Sequence, residues 1–300
     1  MKRLNFRQVK RLSPATRSVQ SWMAALCLLA LAPAARAQDS TTTRDDAAAR
    51  SQTEHPRAAK GLEASFKVGA FRRMLRYNDD IFQRLQSYTL KTGPWLEGDL
   101  AMFPGALAGD TSAISWFGIE GSYGQAVGLD SERYAGESFD TSTHAYRVGL
   151  AARIPVGQHR VLGSVAYGRR VFEVDSIVPD NALYPAEPGV PSADYQFVRI
   201  GAGFDFRATR ALSLVTELGY RAVVGEGDIA TDTWFPNASA GGIDFTMQLR
   251  YALSDALDVR AGFQLERYFF TLNPEVGDSN VAGGALDQYL GAFVGVGYAL

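Results

Sequence analysis

The histidines and their neighbours give the first test for catalytic chemistry. The sequence contains three histidines, His55, His144 and His159. Only His144 has a serine two positions away, Ser142, a spacing that puts both side chains on one face of a strand. A histidine beside a serine can act as the base that activates a nucleophile. Pairs at this spacing also arise by chance, and His144 shares the parity of Tyr146, on the apolar side of its segment. We therefore predict no enzymatic activity, with a hydrolase kept as the third alternative.

Acidic and basic residues form a second set that could do chemistry, because they recur at alternate positions between apolar residues. Charges that are removed from water need partners of opposite sign. The sequence therefore predicts a salt-bridged, hydrogen-bonded network inside the fold. Its sixteen members are Glu63, Lys67, Glu97, Asp99, Glu120, Arg147, Arg153, Arg199, Asp205, Glu217, Arg221, Asp244, Arg250, Asp258, Arg260 and Glu266.

The segments that carry these charges alternate in polarity with a period of two, which is typical of β-strands. About ten such segments follow one another in residues 61–300, each of roughly ten residues, long enough to cross a bilayer when tilted. Short connections, such as 104–111 and 155–160, alternate with long ones, such as 76–93 and 173–194. This layout predicts an all-β fold, an antiparallel up-and-down transmembrane β-barrel with its long loops facing outward.

Three features favour a barrel with its apolar stripe towards lipid and its charges inside. Glycine and alanine recur on the charged face, where they leave room for long side chains. The final segment must pair with the first, because an open edge in lipid leaves backbone groups unsatisfied. Aromatic residues cluster at both ends of the apolar stripes, as expected at bilayer interfaces. They are Tyr146, Tyr167, Tyr220 and Phe269 near the long loops, and Phe117, Phe206, Tyr251 and Tyr298 near the short turns.

The N-terminal segment predicts export. Residues 1–37 contain seven basic residues, no acidic residue and an apolar run at 22–35 that is too short to span a bilayer as a helix. Ala35 and Ala37 before Gln38 fit a signal-peptidase site. We predict a signal peptide over 1–37, a flexible periplasmic spacer over 38–60 and the barrel over 61–300.

Removal of that leader would change the composition of the chain. The remaining residues carry a net charge near −9, which argues against nucleic-acid binding. The only cysteine, Cys27, lies in the leader. The mature protein is therefore expected to have no disulfide and no cysteine metal site. No cofactor is predicted.

The last segment resembles the C-terminal strand of bacterial outer-membrane β-barrels, which places an aromatic residue and alternating apolar residues near the end. The matching positions are Leu290, Ala292, Val294, Val296 and Tyr298, with Leu300 where a terminal Phe is usual. The resemblance is to the small OmpA/OmpX-like barrel family. It implies that Leu290, Val294, Val296, Tyr298 and Leu300 form an insertion signal read by the barrel-assembly machinery.

The family likeness implies no particular activity. The chain is similar in strand number to the omptins, a family of outer-membrane proteases, but it lacks their Asp-x-His pair. Its Ser142 and His144 stand in the order opposite to that of the outer-membrane lipid A deacylases.

The function predicted from the sequence is that of a protein of the cell outer membrane with a structural or surface-interaction role. Its long loops are acidic and could contact an extracellular ligand. Expected partners are outer-membrane lipid and lipopolysaccharide, because Arg169 and Arg267 have lipid-side parity near the outer rim. The alternative is a narrow passive channel for ions or small solutes, since ten strands enclose far less space than a porin does.

Overall fold

The computed structural model describes residues 60–132, 138–175 and 189–300. The predicted leader, with Ala35, Ala37 and Gln38, lies outside the described residues, as does the predicted spacer except Lys60. Eleven strands are present in these ranges: β1 (Leu62–Asn78), β2 (Tyr88–Met102), β3 (Phe117–Ala126), β4 (Leu129–Glu132), β5 (Ser138–Val156), β6 (His159–Val174), β7 (Ala193–Arg207), β8 (Leu212–Gly225), β9 (Ser239–Ala252), β10 (Leu257–Thr271) and β11 (Gly284–Ala299).

All strand pairings are antiparallel, and the sheet closes on itself. Strand β1 pairs with β11 from Glu63 opposite Ala299 to Asn78 opposite Gly284. At the other seam β3 pairs with β5, while the short β4 adds to the same edge of β5 beyond β3. The result is a closed ring of ten strands with β4 as an extension. The prediction of an antiparallel up-and-down barrel of about ten strands is confirmed.

The connections differ in length between the two ends of the barrel. Turns 157–158, 208–211 and 253–256 lie at one end, and loops 79–87, 226–238 and 272–283 lie at the other. The expected short turn at 104–111 is wrong in extent. This connection covers 103–116 and contains a short helix, Pro104–Leu107, and a 3-10 turn, Ala113–Trp116. Ser112 donates its backbone N–H to the Asp110 carboxylate, which lowers the pKa of Asp110.

The outer surface of the barrel carries an apolar belt. Leu150 and Ile200 are 66% and 63% exposed, whereas a soluble barrel would turn such residues inward. Exposed aromatic rings mark both edges of the belt: Tyr167, Tyr220 and Phe269 towards the long loops, and Phe117, Phe206, Tyr251 and Tyr298 towards the short turns. This distribution matches a membrane-spanning barrel with aromatic girdles.

The short-turn end is narrowed by the ring of Phe103, which follows β2. Phe103 is buried against Ala101 and Ala151, and its backbone N–H donates to the carbonyl of Gly61 at 2.7 Å. The Arg153 guanidinium lies 4.1 Å from the centre of the ring. The 103–116 connection therefore packs onto this end of the barrel and places a side chain in its lumen.

No helix within the described ranges is long and apolar enough to cross a membrane.

Candidate functional site in the barrel lumen

The polarity of the inward face reverses partway along the strands. On β1 the inward residues change from Glu63 and Lys67 to Phe71 and Leu75, while the outward face changes from Phe66 to charged residues. The same reversal occurs on β10, where Tyr268 and Phe270 follow Glu266 on the inside. The lumen therefore has a charged part towards the short turns and an apolar part towards the long loops.

The charged part begins with two clusters near the short turns. The Lys67 ammonium lies 2.8 Å from carboxylate oxygens of both Glu97 and Asp99. Glu63 forms a close ion pair with Arg153. Guanidinium nitrogens of Arg160 and Arg250 each lie 3.9 Å from a carboxylate oxygen of Glu63. On β10, Asp258 accepts hydrogen bonds from Arg260.

A second layer of the network is centred on Asp244. Arg199 donates to both Asp244 oxygens from its Nε and Nη2 atoms, at 2.8–3.0 Å, and Arg221 donates to Oδ2 at 2.9 Å. Gly201 and Gly219 flank Arg199 so closely that a Cβ at either position would overlap the guanidinium. Glycine on the inward face therefore makes room for the arginine, as expected from the sequence.

The remaining predicted residues extend this layer. Glu266 lies 2.9 Å from Arg221 and 3.2 Å from Arg170. Longer contacts of 3.8 Å join Arg199 to Glu217 and Arg147 to Glu120. Asp205 also faces inward, with one carboxylate oxygen buried and without a hydrogen bond. All sixteen predicted residues are buried or half-buried and alternate with outward residues.

Between these charges lies a cavity of about 160 Å³. Acidic and basic side chains line it in similar numbers, so it carries no strong field of one sign. Within the described ranges, no group of three or more His, Cys, Asp or Glu residues could hold a metal ion. Chemically, the cavity suits water or a small polar solute.

The apolar part of the lumen, towards the long loops, is filled by a cluster that we call the outer plug. Its members include Phe71, Leu75, Tyr88, Leu90, Trp95, Phe139, Phe172, Tyr195, Phe197, Tyr268, Phe270, Leu272 and Tyr289. The rings of Tyr195 and Tyr268 stack with centroids 4.0 Å apart, and Tyr88 meets Phe172 edge to face at 5.5 Å. Such contacts stabilise the cluster beyond the burial of its area.

Two buried arginines lie within the outer plug. Arg73 forms a bidentate pair with Asp287, whose carboxylate also accepts hydrogen bonds from the hydroxyls of Tyr195 and Tyr289. The Arg73 guanidinium lies 4.0 Å from the centre of the Phe172 ring, and that of Arg170 lies 3.9 Å from the centre of the Tyr289 ring. The charges are thus compensated by carboxylates and aromatic faces.

The sixteen predicted residues do not include four further charged residues of the interior: Arg73, Arg160, Arg170 and Asp287. The sequence predicts Asp287 in an acidic long loop over 271–287 and Arg160 in the short connection 155–160, because the predicted strands end earlier than the observed ones. Parity would have identified both members of the plug's ion pair, since Arg73 continues the series of Glu63 and Lys67, and Asp287 the series of Tyr289 and Gly291.

The remaining sequence candidates lie on the outward face. Ser142 and His144 are both outward residues of β5, with Ser142 exposed and His144 half-buried. Arg169 and Arg267 are outward residues at the long-loop edge of the belt. Arg169 follows Tyr167 on β6, whereas Arg267 precedes Phe269 on β10. The proposed insertion signal, Leu290, Val294, Val296, Tyr298 and Leu300, follows the outward face of β11 and the residue after it.

The belt, the closed ring of strands and the charged lumen together decide the architecture. The fold is that of a small outer-membrane β-barrel. No family model matches the chain, and no curated protein matches it.

Solved structures with a similar arrangement include the outer membrane protease OmpT from Escherichia coli. It is 8% identical, with a TM-score of 0.48, over 81% of this chain and 97% of that chain. The translocator domain of the autotransporter NalP from Neisseria meningitidis is 14% identical, with a TM-score of 0.40, over 95% and 98%. The outer membrane protein OprG from Pseudomonas aeruginosa is 10% identical, with a TM-score of 0.31, over 81% and 98%.

Proposed function

We propose that this chain is a protein of the outer membrane whose barrel is a closed scaffold that presents its long loops at the cell surface. The observation that carries the proposal is the outer plug, which fills the lumen on the side of the long loops. Leu90, Phe172 and Tyr268 in this plug are completely buried. Passage of an ion would require both displacement of these side chains and desolvation of the ion.

The location in the membrane is supported by the exposed apolar belt. Outward residues of β5, including Val148 and Leu150, are apolar and exposed. In a soluble protein, their contact with water would cost about 25 cal/mol of free energy for each Å² of apolar surface. Lipid contact removes that cost. The aromatic girdles at both edges of the belt support the same placement.

A scaffold role is further supported by the ion pairs of the lumen. Ion pairs connect different strands, such as β1 and β2 through Lys67 with Asp99, β7 and β9 through Arg199 with Asp244, and β1 and β11 through Arg73 with Asp287. Removal of one member of a buried ion pair lowers the free energy of unfolding by about 3–5 kcal/mol. The paired charges therefore hold the strands in one arrangement and keep the loop anchors in place.

The second candidate is a narrow channel, which is favoured by the charged cavity of about 160 Å³. A channel would require the outer plug to open on one side and Phe103 to move on the other. Rim hydrolysis gains less support, because Ser142 and His144 lie on the outward face, away from the lumen.

Conductance across a planar lipid bilayer tests the closed scaffold. We expect the refolded protein to show no steady conductance and the Y88A/F172A variant to show frequent openings, since that pair fills the plug. The matched control is Y146A/Y167A, which removes an aromatic pair with centroids 6.5 Å apart on the outward face; it should stay closed. Steady conductance by the unmodified protein would make the channel the better account.

A further inference from the structure

Two arginines on the outer surface of β1 lie directly beyond the apolar belt. Below them, the outward residues of β1 are Leu62, Ala64, Phe66, Val68 and Ala70. Arg72, Met74 and Arg76 follow at the next outward positions, and both arginines are exposed. We propose that these two side chains form the centre of a binding site for the phosphorylated headgroup of lipopolysaccharide. The proposal rests on the proposed outer-membrane location.

The two guanidinium groups converge on one atom. Nη2 of Arg72 lies 3.1 Å from the sulfur of Met74, and Nη2 of Arg76 lies 3.9 Å from the same sulfur. A single phosphate can therefore contact both groups. Arginine is well suited to this role, because its planar fork donates two parallel hydrogen bonds to phosphate oxygens.

We call Arg72, Arg76 and the neighbouring Arg267 the arginine patch. The described ranges give these arginines no carboxylate to neutralise them. Among the residues that the structure describes, no acidic oxygen lies within 4 Å of the charged nitrogens of Arg72, Arg76 or Arg267. Arg169 shows the contrast, because its Nε and Nη2 atoms both donate to Asp194 at 2.6 Å. Two like charges held together at the edge of a low-dielectric layer repel each other unless an anion lies between them.

The register of the strands extends the patch along the barrel. Met74 lies opposite Gln288 on β11, and Gln288 lies opposite Arg267 on β10. Neighbouring strands are about 4.8 Å apart, so the backbone of Arg267, two strands away, lies about 10 Å from that of Met74. The exposed Lys91 lies on β2, on the other side of β1. A headgroup with two phosphates matches such a spread of cations better than a single free anion does.

The surface below the arginines suits acyl chains. Ala70 lies opposite Ala292, and Val68 lies opposite Val294, all outward residues of β1 and β11. Small side chains give a smooth apolar strip that leads from Arg72 towards the middle of the belt. The patch is also at the end with the long loops, which the proposed function places outside. A phosphorylated lipid of the outer leaflet is therefore the occupant.

Binding of diphosphorylated lipid A to the refolded protein in detergent tests the site, with native mass spectrometry as the readout. We expect R72Q/R76Q to weaken binding by at least about tenfold, because it removes two charge-assisted contacts. The matched control R207Q/R210Q removes two charges at the short-turn end and should bind as the unmodified protein does. Dephosphorylated lipid A should bind the unmodified protein at least about tenfold more weakly.

Three outcomes would overturn the site: unchanged binding by R72Q/R76Q, an equal loss in R207Q/R210Q, or displacement of lipid A by inorganic phosphate in excess. The last result would assign the patch to a free anion. A heat-dependent gel shift of each variant confirms that it is folded. Failure of lipid A binding in a protein that does not conduct overturns this site alone, whereas steady conductance overturns the closed scaffold alone.

Discussion

Arg73 of β1 and Asp287 of β11 form a buried, two-pronged ion pair across the seam where the first strand meets the last. Nε of Arg73 lies 3.0 Å from Oδ1 of Asp287, and Nη2 lies 2.9 Å from Oδ2. Their side chains are 1% and 0% exposed. The pair therefore joins the first and last strands within the outer plug, where both charged groups are shielded from bulk solvent.

Substitution of Asp287 should destabilise the barrel strongly. In D287N the guanidinium of Arg73 stays buried without its charged partner, and we expect a loss of about 3–5 kcal/mol in the free energy of unfolding. Urea titration in lipid vesicles measures this loss. The control D232N changes an exposed residue of the 226–238 loop and should remain within about 0.5 kcal/mol of the unmodified protein. Equal stability of D287N would show that the pair does not support closure.

Replacement of both partners should be far milder than replacement of one. In R73M/D287L neither charge remains in the outer plug, and apolar side chains of similar length fill the space. Such exchanges of a buried pair are often neutral or stabilising. We expect the double variant to recover most of the stability that D287N loses, as measured by the same titration. A double variant as unstable as D287N would mean that the tyrosine hydroxyls depend on the Asp287 carboxylate.

The acids of the second charged layer should differ in importance. Asp244 accepts hydrogen bonds from both Arg199 and Arg221, so D244N should lose about 3–5 kcal/mol in unfolding free energy. Glu120 approaches Arg147 only at 3.8 Å, and its Oε1 has no hydrogen bond. E120Q should therefore cost clearly less. The reverse order in urea titrations would contradict the arrangement of the network.

Arginine substitutions on the outward face should locate the bilayer. Leu150 lies in the middle of the belt, so L150R should cost about 2–4 kcal/mol of unfolding free energy in vesicles. His144 lies beyond the belt on the same strand, so H144R should cost about 0–1 kcal/mol. Folding into vesicles at increasing urea compares the two variants. Equal costs would mean that the strand is placed wrongly in the membrane.

The sequence predicted the middle of the barrel better than its ends. Between the girdles, lipid outside and charge inside make every strand alternate, so the inward position of Arg199 or Asp244 could be read from its neighbours. Beyond the belt the outward face meets water and the inward face packs a core. The alternation continues there with its polarity reversed, so strands predicted from apolar outward residues are shorter than the observed ones.

Pairing partners could not be obtained from parity alone. Arg73 and Asp287 are 214 positions apart, and only the register between β1 and β11 brings them together. The aromatic plug was missed for the same reason, because residues such as Tyr195, Tyr268 and Tyr289 come from different strands. The connection at 103–116 was also unexpected, since no period-two pattern marks a segment that folds over an opening.

The most direct test of the central claim is the labelling of single cysteines on intact cells by a membrane-impermeant maleimide. D232C lies in a long loop and Q158C in a short turn at the opposite end of the barrel. We expect D232C to react on intact cells and Q158C to react only after the outer membrane is permeabilised. Reaction of Q158C on intact cells, or protection of D232C until permeabilisation, would contradict a barrel that spans the outer membrane with its long loops outside.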